Sequence, residues 1–168
     1  FHAHVSEPLG KAGIPLAVTP GNPAGSAYHG FEHERQIFGE QWTARKPALS
    51  FVDAAHYPYY YAFTAGGALF VSLDATTLGQ LPPEQMAWLK DLLTRHGDRY
   101  GGRVVFSHEP LWPFTQGRER EFIGDPTLGQ LLKDARVDLY LSGHHHAFYP
   151  GHKEGLHLVS QACAGAGP

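Results

Sequence analysis

Three short apolar runs, each breaking straight into a polar loop, constrain the fold of this chain more than any other feature. Residues 14–19 lead to Asn22, residues 103–107 to His108, and residues 137–142 to Gly143-His144-His145-His146. Brief apolar or β-branched runs bounded by turn residues read as buried strands. Helical periods lie between and beside them. Residues 84–96 open behind Pro82-Pro83 with Met86, Leu89, Leu92 and Leu93 on one face, and residues 128–134 form a second helix. Strands alternating with helices predict an α/β fold, and in such folds ligands collect where strand C-termini open into loops.

The remaining elements follow from the same signals. Residues 5–12 read as a helix end closed by Gly13, and residues 31–42 as an amphipathic helix carrying Phe31, Ile37, Phe38 and Trp42. Residues 59–63 and 68–73 form a hairpin through Gly66-Gly67, and Phe148-Tyr149 pairs with residues 156–160 as a closing hairpin. Pro15 puts the first strand near an edge or at a strand start. A chain of 168 residues with 42% hydrophobic content fits one domain, residues 1–168, with a core that needs no disulfide. The one cysteine, Cys163, sits among small residues with nothing nearby to activate it, and is read as incidental.

A formal charge of −3 without a basic run argues against nonspecific nucleic-acid binding. No apolar stretch approaches the ~20 residues that span a bilayer, and no leader is visible. The chain begins at Phe1 rather than Met, which points to processing or to a fragment. Nothing in it specifies a compartment.

Twelve histidines are the unusual feature. Along extended backbone, residues i and i+2 point the same way, so His144 and His146 would share a site if the strand continues through them. Gly143 would allow a tight turn or close approach just before them, and imidazole suits Zn, Mn and Fe. By itself a histidine run is as well explained by solvent exposure, a lone His108 by loop hydrogen bonding, and Asn22 by an ordinary turn. Their shared position behind strand ends is what joins them. His2 with His4 and His29 with His33 are read as surface residues, His152 and His157 as closing-hairpin residues without chemistry, and Glu109 as near the site by sequence alone.

The ordered elements Gly21-Asn22, then Val105-Phe106-Ser107-His108-Glu109-Pro110, then Gly143-His144-His145-His146 resemble those of the calcineurin-like metallophosphoesterases, the family that includes purple acid phosphatases. Residues 69–74 resemble that family's central strand. The resemblance implies part of a four-layer α/β/β/α sandwich with its N-terminal strands missing. It implies that Asn22, His108 and His144 ligate one metal and His146 a neighbouring one, with no role for His145. The family's two ions, Mn, Fe or Zn, polarise a phosphoester and activate a water for in-line attack.

Departures from the family pattern limit what carries over. The D-x-H and G-D elements do not precede Gly21, so a bridging carboxylate and the rest of the second metal site are absent, and one ion is the expectation for this chain. Pro23 stands where the family carries a histidine, which is expected to weaken general-acid help typically worth ~10²–10⁴-fold. The resulting expectation is a metal-dependent phosphomonoesterase or phosphodiesterase. Its alternative is a degenerate member that binds metal or a partner without turnover. Residues 110–125 are expected to border the substrate pocket, with Arg118 and Arg120 read as solvated. An uncovered sheet face, with Tyr59, Tyr60, Tyr61 and Trp112 as candidates for it, is expected to drive self-association.

Overall fold

In the computed structural model, which describes residues 1–22 and 24–162, the strands form a single mixed sheet that takes in two of the three apolar runs. Pro23 and Cys163 lie outside the described residues. A π-helical turn at His2–Ser6 leads into α1 (Glu7–Lys11), and α2 spans Glu32–Ala44. The strands β1 (Ser50–His56), β2 (Tyr60–Ala65) and β3 (Ala68–Ser72) follow as an antiparallel meander. Then come α3 (Pro83–His96), β4 (Gly102–Phe106), α4 (Pro126–Asp134), β5 (Leu139–Ser142), β6 (Tyr149–Lys153) and β7 (Leu156–Ser160). The strand order is β1-β2-β3-β4-β5-β7-β6, with β3, β4, β5 and β7 mutually parallel.

Alternation decides which side of the sheet is dry. Ala62, Leu69, Val71, Val105, Tyr140 and Leu156 point to one face, where Leu89, Leu92 and Leu93 of α3 and Leu128 and Leu132 of α4 close over them. The α4 helix starts where Asp125 accepts hydrogen bonds from the Thr127 and Leu128 amides, a side-chain cap one residue ahead of Pro126. The opposite face carries Tyr61, Phe63, Phe70, Val104, Phe106, Leu139, Leu141 and Val159. Only its β2–β3 end is well covered: Tyr61 and Ser72 are fully buried, whereas Val104, Phe106, Leu139, Leu141 and Val159 remain partly exposed. The four-layer expectation is thus met by one sheet with its helices, and no second sheet forms among the described residues.

Two sequence expectations change. Residues 14–19 join no sheet. They cross the face just described, tied by side chains: the Val18 amide donates to Tyr61 Oη at 2.8 Å, and Tyr61 Oη donates back to the Val18 carbonyl at 2.5 Å. Thr19 Oγ1 donates to the Leu73 carbonyl at 3.1 Å. Pro15 and Pro20 remove ladder donors, and with no neighbouring strand the segment's polar groups are met by hydroxyls. Conversely β1, not anticipated, pairs along β2 with two register irregularities.

Candidate metal centre

β4 and β5 run parallel side by side, so the loops behind them open at the same end of the sheet. The pairing continues past the strands. The Ser107 amide donates to the Leu141 carbonyl at 3.0 Å, and the Gly143 amide to the His108 carbonyl at 3.0 Å. This fixes His108 and His144 as neighbours, with ring centroids 5.0 Å apart. The third element arrives from the segment tied to Tyr61. Gly21 lies so close under the His108 ring that a Cβ there would sit 3.1 Å from Nδ1, so the absent side chain makes room for the ring.

The result is a tight cluster. His108 Nε2 contacts Asn22 Oδ1 and lies 3.1 Å from His144 Nδ1, while Asn22 Nδ2 is 3.5 Å from the same His144 Nδ1. Three of the four sequence-predicted ligands therefore meet. Burial, followed by the nearby His144 and His146, pushes the His108 imidazole down to about 4, so at neutral pH it is uncharged with a ring nitrogen free to bind a cation. Burial also lowers His144, with Glu121 opposing.

The fourth, His146, stands apart. The strand ends at Ser142, and both His144 (φ 61°) and His146 (φ 53°) are left-handed, so the extended backbone needed for the i, i+2 argument does not persist. His146 is exposed, and among the described residues no hydrogen bond or ion pair ties it to the cluster. The turn opens at Gly143, whose carbonyl accepts from the His145 amide at 2.7 Å, although its left-handed residue is His144 and a Cβ on Gly143 would meet its nearest atom only at 3.9 Å. The intervening His145 is 2% exposed, donates from Nε2 to the Glu121 carbonyl at 2.7 Å and packs on Phe114. It is a packing residue.

Two carboxylates emerge that sequence spacing alone does not assign. Glu109 is fully buried, and among the described residues neither carboxyl oxygen has a hydrogen-bond partner; its Oε2 lies 3.5 Å from His144 Nε2. Burial, with Glu121 adding and Arg118 opposing, pushes the Glu109 carboxyl up to about 7. Glu109, His108 and His144 each bring a ligand-type atom to within 4.8 Å of the others. Glu121 Oε2 is 3.0 Å from the same Nε2. Arg118, expected to be solvated, instead donates to the His144 carbonyl at 2.7 Å and pairs with Glu121 at 3.1 Å, while Arg120 is exposed. The signal for Glu109 was its position directly behind His108; nothing local marked Glu121.

A carbonyl oxygen and two neutral-capable imidazoles form a donor set suited to Zn, Mn or Fe, with the buried Glu109 carboxyl against the far edge of the His144 ring. Asp74, by contrast, is taken by Arg35, and Asp53 accepts from the Ala55 amide at 2.9 Å. His2 bonds Ser6 and His29 pairs with Glu32, both away from the cluster.

The calcineurin-like phosphoesterase family model matches residues 2–148. Among solved structures, a dimetal phosphatase from Danio rerio is 17% identical with a TM-score of 0.52 over 62% of this chain and 49% of its own. A purple acid phosphatase from yellow lupin (Lupinus luteus) seeds is 16% identical with a TM-score of 0.55, over 82% of this chain and 28% of its own. A Thermus thermophilus protein is 14% identical with a TM-score of 0.51, over 92% and 65%. The chain thus spans between about a quarter and two thirds of these structures' lengths. No curated protein matches it. The family match over most of the chain and the shared fold lead to one conclusion: this chain belongs to the calcineurin-like phosphoesterase family.

Proposed function

We propose that this chain carries the metal-holding strand ends of a metal-dependent hydrolase of phosphomonoesters or phosphodiesters. The observation behind this reading is the convergence of Asn22, His108 and His144, which are distant in sequence, on one point at the C-terminal end of the sheet. Asn22 would offer Oδ1, His108 Nε2 and His144 Nδ1 to one ion, Mn, Fe or Zn. His146, exposed beside them, is assigned to a neighbouring ion by family resemblance. When bound, such an ion supplies a Lewis acid for the phosphoryl oxygens and lowers the pKa of water. Within the chain, burial keeps His108 neutral, and the Tyr61–Val18 bonds hold the segment that delivers Asn22. With Pro23 in the family's histidine position, leaving-group protonation falls to solvent or substrate, and turnover is expected to be slow.

The test is phosphate release from an aryl phosphate with Mn²⁺, Zn²⁺ or Fe²⁺ supplied, alongside elemental analysis. Hydrolysis and bound metal should both disappear in a His108→Ala, His144→Ala double variant. Activity unchanged in that variant would refute the site. Stoichiometric metal without turnover would instead select the second reading, a metal-binding member that does not hydrolyse, favoured by Pro23 and by the exposure of His146. No helix among the described residues is long and apolar enough to cross a membrane.

A further inference from the structure

The ring of His144 has two differently occupied edges. Its Nδ1 faces His108 and Asn22, and its Nε2 faces Glu121 at 3.0 Å and Glu109 at 3.5 Å. Nε2 is buried, and neither carboxylate lies in line for a full hydrogen bond. A bare nitrogen lone pair pointed at the Glu121 carboxylate is repelled, whereas an N–H there is attracted. We infer that Glu121, with Glu109 behind it, is a positioning residue that holds His144 as the Nε2–H tautomer and leaves the Nδ1 lone pair facing the site. This deepens the metal-centre reading and rests on it.

The surroundings of Glu121 fit that task. Its side chain is tied to Arg118 at 3.1 Å, and the same guanidinium donates to the His144 carbonyl at 2.7 Å, locking carboxylate and histidine backbone together. His145 Nε2 donates to the Glu121 carbonyl at 2.7 Å, so backbone and side chain of Glu121 are both fastened to the histidine loop. On the other edge, the Asn22 Nδ2 amide lies 3.5 Å from Nδ1 and can donate to it when the proton sits on Nε2. Partners of this kind orient a ligand imidazole and raise its basicity, and losing one typically costs roughly 10–100-fold in metal affinity.

The experiment reads the tautomer directly. Imidazole ¹⁵N–¹H correlation spectra of the chelator-treated protein, with His144 assigned by difference against His144→Ala, should show Nε2–H in the wild type. Glu121→Leu should move His144 toward Nδ1–H and weaken Zn²⁺ binding by roughly 10–100-fold. Glu121→Gln, which keeps an acceptor, should retain the wild-type tautomer. Nδ1–H in the wild type overturns the inference whether or not any variant folds. So does a folded Glu121→Leu with unchanged tautomer and Zn²⁺ affinity. A wild type that takes up no Zn²⁺ defeats the metal-centre reading, and the tautomer arm still decides this one.

Discussion

Glu109 is the residue whose energetics are most exposed to test, because it is a fully buried carboxyl with no hydrogen bond to its side chain among the described residues. Its ordinary value of 4.5 is pushed up to about 7 by burial first and Glu121 second. In the metal-free protein the folded state therefore holds a proton between those values that the unfolded chain has released, and Glu109 lowers stability as pH rises through 4.5–7. His108 works in the opposite direction. It is depressed from 6.5 to about 4, so stability rises with pH across that window, where the unfolded chain binds the extra proton. The two windows nearly coincide, and the metal-free wild type should show little net dependence from this pair. Glu109→Gln removes the carboxyl's contribution alone. Thermal melts of chelator-treated protein should then rise from pH 4 to 6.5, and at pH 8 the variant should exceed the wild type by on the order of 2 kcal/mol, allowing for solvent screening. A variant less stable than the wild type at pH 8 would mean that the ionised carboxylate has a favourable partner.

Within the segment that brings Asn22 to the histidines, one hydroxyl, that of Tyr61, serves both backbone groups of Val18. Tyr61→Phe leaves the Val18 amide without its acceptor and its carbonyl with only Ser72 Oγ at 3.4 Å, a loss of about 1–3 kcal/mol for these partly buried backbone groups. Hydrogen exchange at Val18 should accelerate, and Zn²⁺ affinity should fall although Tyr61 touches no ligand; unchanged exchange would show that the segment is held by something else. The same segment marks the boundary of what was legible in the sequence. Helices α3 and α4 and strands β2 to β5 follow from apolar period and punctuation, because their packing faces are continuous in sequence. Residues 14–19 carry the composition of a strand, yet a strand is defined by its neighbours, and composition cannot supply them. β1 was hidden for the complementary reason, since Ser50, Asp53 and His56 interrupt its alternation at an edge. In the site, Asn22, His108 and His144 were legible as residues behind strand ends. The left-handed turns at His144 and His146 and the arrival of Glu121 from the 110–125 loop depend on tertiary folding, and no local signal marks them.

At the scale of the molecule, the two faces of the sheet are unequally covered, and that imbalance predicts an association. α3 and α4 seal one face; on the other, residues 14–19 shield Tyr61 and Ser72 but leave Val104, Phe106, Leu139, Leu141 and Val159 as a contiguous, partly exposed apolar patch across β4, β5 and β7. The aromatics named from the sequence are not its exposed members: Tyr61 shares the face but is buried, Tyr59 donates to the Arg35 carbonyl, Tyr60 packs on Trp88, and Trp112 sits beside Gly129 of α4. In a four-layer sandwich the patch is where a second sheet would pack. Without one, burying it against a second copy recovers ~25 cal/mol for each Å² of apolar surface removed from water. The expected outcome is a mass that climbs above the monomer with concentration in light scattering. Leu139→Lys sets a charge in the middle of the patch, between Val104 and His157 on the neighbouring strands, and should return the chain to a monomer with its melting cooperativity intact. A wild type that stays monomeric across the full concentration range would show that this face is tolerated in water. Association persisting unchanged in Leu139→Lys would place the contact on another surface, with the sheet edges β1 and β6 next to be examined.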